Sequence, residues 1–424
     1  MTLRREIAIG LLFSICLLFL LECGPYRAIR FNQSYDFSTV YASARCWMKG
    51  KNLYDRTELE EALIGAGAPP RLIDQQNLNP AVYLVTAIPL IAPIAWLPWS
   101  AANIAWCLLS LLFFALSLLA IIRHAHLPLA GKWIFASLSL AFCPVYVGLL
   151  RGNPSVLSIS LTVLAVCLSR DNKMWMSGIL LGAALCLKPQ IALWAVCVLI
   201  LWSCWQPLRI AFGIGGVIAI AAVVRASHFG RDWRWLQTEW QNLALAFAPG
   251  GPSDPGPRSL ASFQFLNAQT LTAYFAEDVL LRNLLVWILA ASLVVFYLHF
   301  RKQTDAASPW RDASFFAALT ILITYHRYYD AQLLLLLIPV LVELWRASDR
   351  KTAIFLGIFL ATIASPEQSV FAKWMGTAAI TPSLAQLLLV RNQPLAVLTI
   401  ALILVFSPLR VRRSAPSSLA AAPL

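Results

Sequence analysis

Apolar runs of roughly 14–20 residues, separated by short polar or basic breaks, recur from one end of the chain to the other. The runs that read as crossings are 7–22, 103–122, 133–149, 154–170, 174–187, 190–205, 208–226, 283–300, 313–325, 331–346, 352–365 and 394–409. None shows the alternation of a barrel strand, so helices are predicted. The fold class expected is an all-α polytopic membrane protein, a bundle of about 11–13 transmembrane helices. A single integral-membrane domain should span 1–413, followed by a small-residue, disordered tail at 414–424. The stretch 81–99 is apolar but carries three prolines, which suggests a broken, re-entrant or interfacial piece.

Basic residues at the ends of the runs give an orientation. With the N-terminus inside, Arg4/Arg5, Arg123/Lys132, Arg170/Lys173, Arg209, Arg301/Lys302/Arg311, Arg346/Arg350/Lys351 and Arg410/Arg412/Arg413 all fall in inner loops. The longer polar stretches 23–80, 227–282 and 366–393 are then outside, which places the protein in the cell's inner (plasma) membrane with its functional face toward the periplasm or exterior. In the first of these loops Phe37, Val40, Tyr41, Ala44 and Met48 form an apolar stripe of helical period, with Gly50 as the stop. An amphipathic helix lying on the outer membrane surface is predicted there. The run 247–258, FAPGGPSDPGPR, is an irregular or mobile loop and a candidate lid.

Composition agrees with this picture: 59% of residues are hydrophobic and 12% charged, which excludes a soluble enzyme with a polar surface. The net charge of +13 reads as the basic bias of inner loops, and no nucleic-acid partner is expected. Seven of nine cysteines lie in apolar runs; Cys23 and Cys46 fall in a loop and could pair there. The start has no small-residue cleavage site and reads as a retained first helix.

In so apolar a chain, ionisable groups at membrane level carry most of the functional information. On this topology Asp36, Arg151, Lys188, His326, Arg327 and Asp330 converge on the outer face. Asp36 starts the amphipathic helix, where it could act as a cap or as a base. Gly152-Asn153-Pro154 and Lys188-Pro189-Gln190 break helices at the membrane edge and free backbone groups there; Lys188 could also simply snorkel. Tyr325-His326-Arg327-Tyr328-Tyr329-Asp330 is the densest polar cluster, and its His326 and Asp330 would share a helix face.

Signatures of a nucleotide-driven pump, a zinc protease and a metal-bridged nucleotide-sugar site are missing, and no metal or other cofactor is expected; His124/His126 is too small a set to argue otherwise. A carboxylate beside several cations on a hydrophobic bundle suits a lipid-linked phosphate carrying a polar group. The carboxylate would deprotonate an attacking hydroxyl while the cations stabilise the departing phosphate. A transporter or flippase of lipid-linked sugars could use the same residues, although it would usually show inverted repeats, and none is visible.

The series Asp36-Phe37, Tyr41, Ala44, Gly50, Tyr54-Asp55, Asn79-Pro80, Pro89 and Leu97-Pro98 resembles the polyprenol-phosphate-mannose-dependent α-mannosyltransferase-like family, glycosyltransferase family 87 of the GT-C superfamily. Gly152-Asn153, Gly178-x-x-x-Gly182, Lys188-Pro189-Gln190 and Tyr325-His326 continue that resemblance over most of 1–350; Arg258-Ser259-Leu260 matches the family's Asn-rich segment only in part. The resemblance implies a GT-C-type bundle whose first extracytoplasmic loop holds the catalytic aspartate. It implies an inverting transfer of a hexose, expected to be mannose, from a polyprenyl phosphate to a lipid or glycan acceptor. Asp36 would be the general base, with Lys188, His326, Arg327, Arg151 and Asn153 at the donor and Asp330, Tyr41 and Tyr325 in support.

Overall fold

Each of these apolar runs falls on helix in the computed structural model, which describes residues 2–74, 80–229, 233–302, 308–365, 383 and 385–407, and no named strand occurs among the described residues. Asn79, Arg410, Arg412, Arg413 and the expected tail at 414–424 lie outside the described residues, as does most of the expected outer loop 366–393. Five helical stretches are long and apolar enough to cross a membrane: Arg5–Arg30, Trp99–His124, Trp205–His228, Val279–Lys302 and Tyr328–Arg346. A sixth exists if Leu129–Leu140 and Cys143–Arg151, bent by 46° at their junction, act as one span. The chain is thus an all-α, multi-pass membrane protein.

The other crossings read from the sequence are shorter. Ser155–Arg170, Met174–Leu187 and Pro189–Leu201 have 16, 14 and 13 residues. At 1.5 Å per residue they cover about 20–24 Å, less than the roughly 30 Å of a bilayer core. Their ends coincide with Gly152-Asn153-Pro154 and Lys188-Pro189, where proline cannot continue the helix behind it. Polar side chains are thereby held inside the bundle.

The helix expected after Asp36 runs from Tyr35 to Lys49 and stops at Gly50, whose φ of 72° is in the left-handed region. It does not lie on the surface, however: Phe37 to Ala44 are all buried. The short helix Ile88–Ala95 covers one side, and Phe37 stacks on Trp106 with ring centres 5.0 Å apart. The proline-broken stretch that supplies this cover, Val85–Ala95, is too short to cross a membrane alone. The apolar stripe read from the sequence is thus covered by the protein's own loop and not by lipid.

Two other expectations are corrected. Arg311 is not in a solvated inner loop; it is 2% exposed and donates to the carbonyls of Leu404 and Val405. Cys23 and Cys46 are both free thiols, because Cys46 faces inward from its helix and donates to the carbonyl of Glu58. Burial pushes the Cys46 thiol up to about 12, so it behaves as a small apolar side chain. The Gly178-x-x-x-Gly182 motif has a packing role. A Cβ at Gly178 would sit 2.5 Å from Ile210 and one at Gly182 3.0 Å from the Ala211 carbonyl, so Met174–Leu187 and Trp205–Phe229 approach backbone to backbone.

Candidate active site

The break between Cys143–Arg151 and Ser155–Arg170 sets the position of the first site carboxylate. Gly152 has φ of 63°, and a Cβ there would lie 2.7 Å from that of Phe37 and 3.1 Å from that of Ser34. Only glycine combines that backbone conformation with such close approach. The contact presses Asn153 against the start of the Tyr35–Lys49 helix, and the Asn153 amide donates to Asp36 Oδ2 at 2.7 Å and to the Tyr83 hydroxyl at 3.2 Å. Its carbonyl oxygen accepts from the Ser155 N–H at 2.9 Å, the Ser155 hydroxyl at 2.7 Å and Lys188 Nζ at 3.3 Å. With acceptors on one side and donors on the other, the amide has a single satisfying orientation. Asp36 does not act as the helix cap: it lies inside the first turn, after Ser34 at the cap position.

Lys188 sits between two short helices, 8% exposed. Its ammonium donates to the Ser155 hydroxyl at 2.6 Å and to Asp330 Oδ1 at 3.4 Å, and lies 5.5 Å from the centre of the Tyr329 ring. Asp330 is a saturated hub. It accepts from Lys188, from the Arg327 N–H at 3.1 Å and from His326 Nδ1 at 3.0 Å, and it shares the single Ser155 hydroxyl hydrogen with the Asn153 carbonyl oxygen. A carboxylate can only accept, so the Nδ1 of His326 carries the proton. The two residues do not share a helix face as the sequence suggested: Tyr328–Leu336 is a 3-10 helix that starts after His326, and Asp330 reaches back to close its first turn.

Asp36, Lys188, Tyr325 and Arg327 line one cavity of about 250 Å³, together with Thr39, Tyr83, Gln190, Tyr329 and an apolar wall of Leu84, Leu187, Leu243 and Phe247. Pro252 and Ser253, from the proline-rich loop, close it on one side. That loop is irregular and pinned: Arg327 donates to the Pro252 carbonyl at 3.0 Å, Ser253 to the Tyr325 hydroxyl at 3.0 Å, and Arg391 to the carbonyls of Gly256 and Pro257. Burial disfavours the Arg327 charge, but the Tyr325 hydroxyl that accepts from its Nε and the nearby Asp36 carboxylate favour it, and the group lies above the ordinary arginine value. Its hydrogen-bond partners, Tyr325 and Pro252, are neutral.

The remaining sequence-selected residues stand behind the cavity. His326 is fully buried under Asp330. Arg151 lies over the Tyr35 ring at 5.5 Å, and Tyr41 hydrogen-bonds the Leu97 carbonyl at 2.7 Å and so anchors the buried helix. Sequence reasoning missed Tyr83 and Ser155, and placed Tyr329 in the polar cluster without giving it a role. Ser155 follows Asn153-Pro154 at a helix start, a signal that was available; Tyr83 lies in the proline-broken stretch 81–99, where its own position carries no polar pattern. A cavity with one carboxylate, one uncompensated cation and an apolar wall can take up an amphiphilic anion and deprotonate a hydroxyl beside it.

The sequence model of glycosyltransferase family 87 matches residues 82–325. No curated protein and no solved structure is detectably similar to the chain. The matched segment begins at the apolar wall beside Tyr83, takes in Asn153, Ser155 and Lys188, and ends on Tyr325. It spans more than half of the chain, which therefore belongs to glycosyltransferase family 87 and is a multi-pass membrane glycosyltransferase.

Proposed function

We propose that the enzyme transfers a hexose, mannose in our reading, from a polyprenyl phosphate to a hydroxyl of a lipid or glycan acceptor, with inversion at the anomeric carbon. The carrying observation is that Asp36 and Arg327 line the same cavity while Asp330, the other carboxylate nearby, is saturated by protein donors. Asp36 takes the proton from the acceptor hydroxyl as it attacks, a contribution of about 10²–10⁴ in rate. Arg327 meets the departing phosphate. Its planar fork suits that group, and its charge is not neutralised by an ion pair. Lys188 is largely balanced by Asp330, so it orients Asn153 and Ser155 and adds less to phosphate binding. His326 holds Asp330 in place, and Asn153 fixes the direction of the Asp36 carboxylate. One carboxylate suffices for a single displacement; the pair that glycoside hydrolases use is not needed.

The apolar wall favours a lipid-linked donor over a water-soluble one. The pattern of basic loops supports a cavity on the periplasmic or external face of the inner membrane. Family membership sets the flippase reading aside. The test is transfer of label from polyprenyl-phosphate mannose to acceptor by purified protein in detergent, where transport has no meaning. The product should form with wild type and be lost in Asp36→Asn; wild-type rates in that variant would remove Asp36 as base.

A further inference from the structure

The helix Arg234–Phe247 presents two unlike faces. Trp235, Glu239 and Ala246 are buried, Asn242 donates to the carbonyls of Tyr54 and Ala81, and Asn52 donates to the Thr238 hydroxyl, so the inner face is bolted to the first polar loop. The opposite face carries Trp233, Leu236, Trp240, Leu243 and Phe247, spaced three and four residues apart. Trp240 is 74% exposed and Trp233 62%. This stripe is about 21 Å long. It continues into the candidate active site, because Leu84 and Leu243 line both that cavity and the groove along the helix, whose lining also includes Arg234, Gln237, Glu239 and Gln241. At its cavity end Phe247 packs against Tyr325 with ring centres 5.4 Å apart, and the Tyr325 hydroxyl accepts from Arg327 Nε at 2.6 Å. A phosphate held by Arg327 would therefore have the apolar stripe as its immediate neighbour.

We infer that this stripe is the binding track for the isoprenoid chain of the donor: the chain leaves the phosphate at Arg327, passes between Leu84 and Leu243, and lies along Leu236 and Trp240. The assignment rests on the lipid-phosphate donor proposed above. The track gives the enzyme a preference for long-chain donors, since apolar surface is buried only when the chain is long enough to reach the helix.

Two measurements decide it. A photoreactive polyprenyl monophosphate without sugar, added to the full-length protein in phospholipid nanodiscs, should label peptides within 233–247; labelling confined to other helices overturns the track. Leu236→Asp and Trp240→Asp, both outside the active-site cavity, should then raise KM about tenfold for a long-chain polyprenyl-phosphate mannose, the effect of losing roughly two buried methylenes. The KM of a ten-carbon prenyl-phosphate mannose and kcat for both donors should change less than twofold. Equal losses with both donors, or a shift confined to acceptor KM, would overturn the proposal. If wild type transfers sugar from neither donor, the transfer reading falls, while the photolabel still tests the lipid track.

Discussion

The helix Pro309–Ile323 has a charged cluster at each end, and the two differ in one respect that separates support from chemistry. At its start Asp312 accepts from the Tyr297 hydroxyl at 2.6 Å, from Arg301 Nε at 2.9 Å and NH2 at 3.1 Å, and from Trp202 Nε1 at 2.9 Å. The cavity beside that end, lined by Trp202 and Trp310, holds about 10 Å³. About 21 Å away, past its last turn, Tyr325, Arg327 and Asp36 face 25 times that space. Both clusters contain a carboxylate, an arginine and at least one tyrosine. At Asp312 every strong partner is protein, and the cluster ties three helices together. At the other end Asp330 takes that saturated role, and its saturation leaves Asp36 and Arg327 aimed at open volume. A buried charge is informative about function only after its partners have been counted.

That contrast can be broken most sharply at Asp36. Asp36→Asn should lower kcat by about 10²–10⁴ with the thermal midpoint unchanged, because the side chain loses its basicity but keeps its shape. Asp36→Ser, which cannot take the proton, should be equally inactive; retained activity would remove Asp36 as the base. Asp312→Ala should do the reverse. It leaves Arg301 without its fork partner and is expected to cost about 3–5 kcal/mol in denaturant unfolding while KM for the donor is unchanged. A loss of donor affinity in folded Asp312→Ala would mean that the two ends are coupled.

Smaller effects sharpen the comparison within the site. Arg327→Ala removes a charge-assisted contact of about 1.5–3 kcal/mol, so donor KM should rise roughly 10–150-fold, read from initial rates. Lys188→Ala should raise it less, since Lys188 is paired with Asp330. A larger effect of Lys188 would invert the phosphate assignment. The smallest change is expected at Glu239. Burial raises its carboxyl above the ordinary value, only partly countered by a hydrogen bond with Tyr54. A raised folded value means that the neutral form is favoured in the fold. The stability it contributes is present below the unfolded value of 4.5 and fades as pH rises through the folded value. Glu239→Gln should therefore flatten the fall in thermal midpoint above that pH.

Much of this protein can be read without coordinates. Apolar runs too long and too frequent for a soluble domain require a bundle of membrane helices, because backbone groups in lipid must bond within their own segment. Ionisable and amide side chains next to such runs are few, which is why Asp36, Asn153, Lys188, Tyr325, Arg327 and Asp330 could be singled out one by one. Their roles could not be ranked that way. His326 was expected at the donor because the family resemblance implies it there, yet it is buried behind Asp330. The helix after Asp36 had the stripe of a surface element, and periodicity cannot tell whether lipid or the chain's own Ile88–Ala95 segment covers that stripe. Sequence determines which residues are costly to place at membrane level. Only the tertiary structure decides which of them have their hydrogen bonds satisfied by neighbours more than a hundred residues away, as Asp36 meets Asn153 and Lys188 meets Asp330, and which keep unspent valence facing a cavity. Burial energy depends on residue type, whereas partnership depends on positions that long-range packing alone brings together.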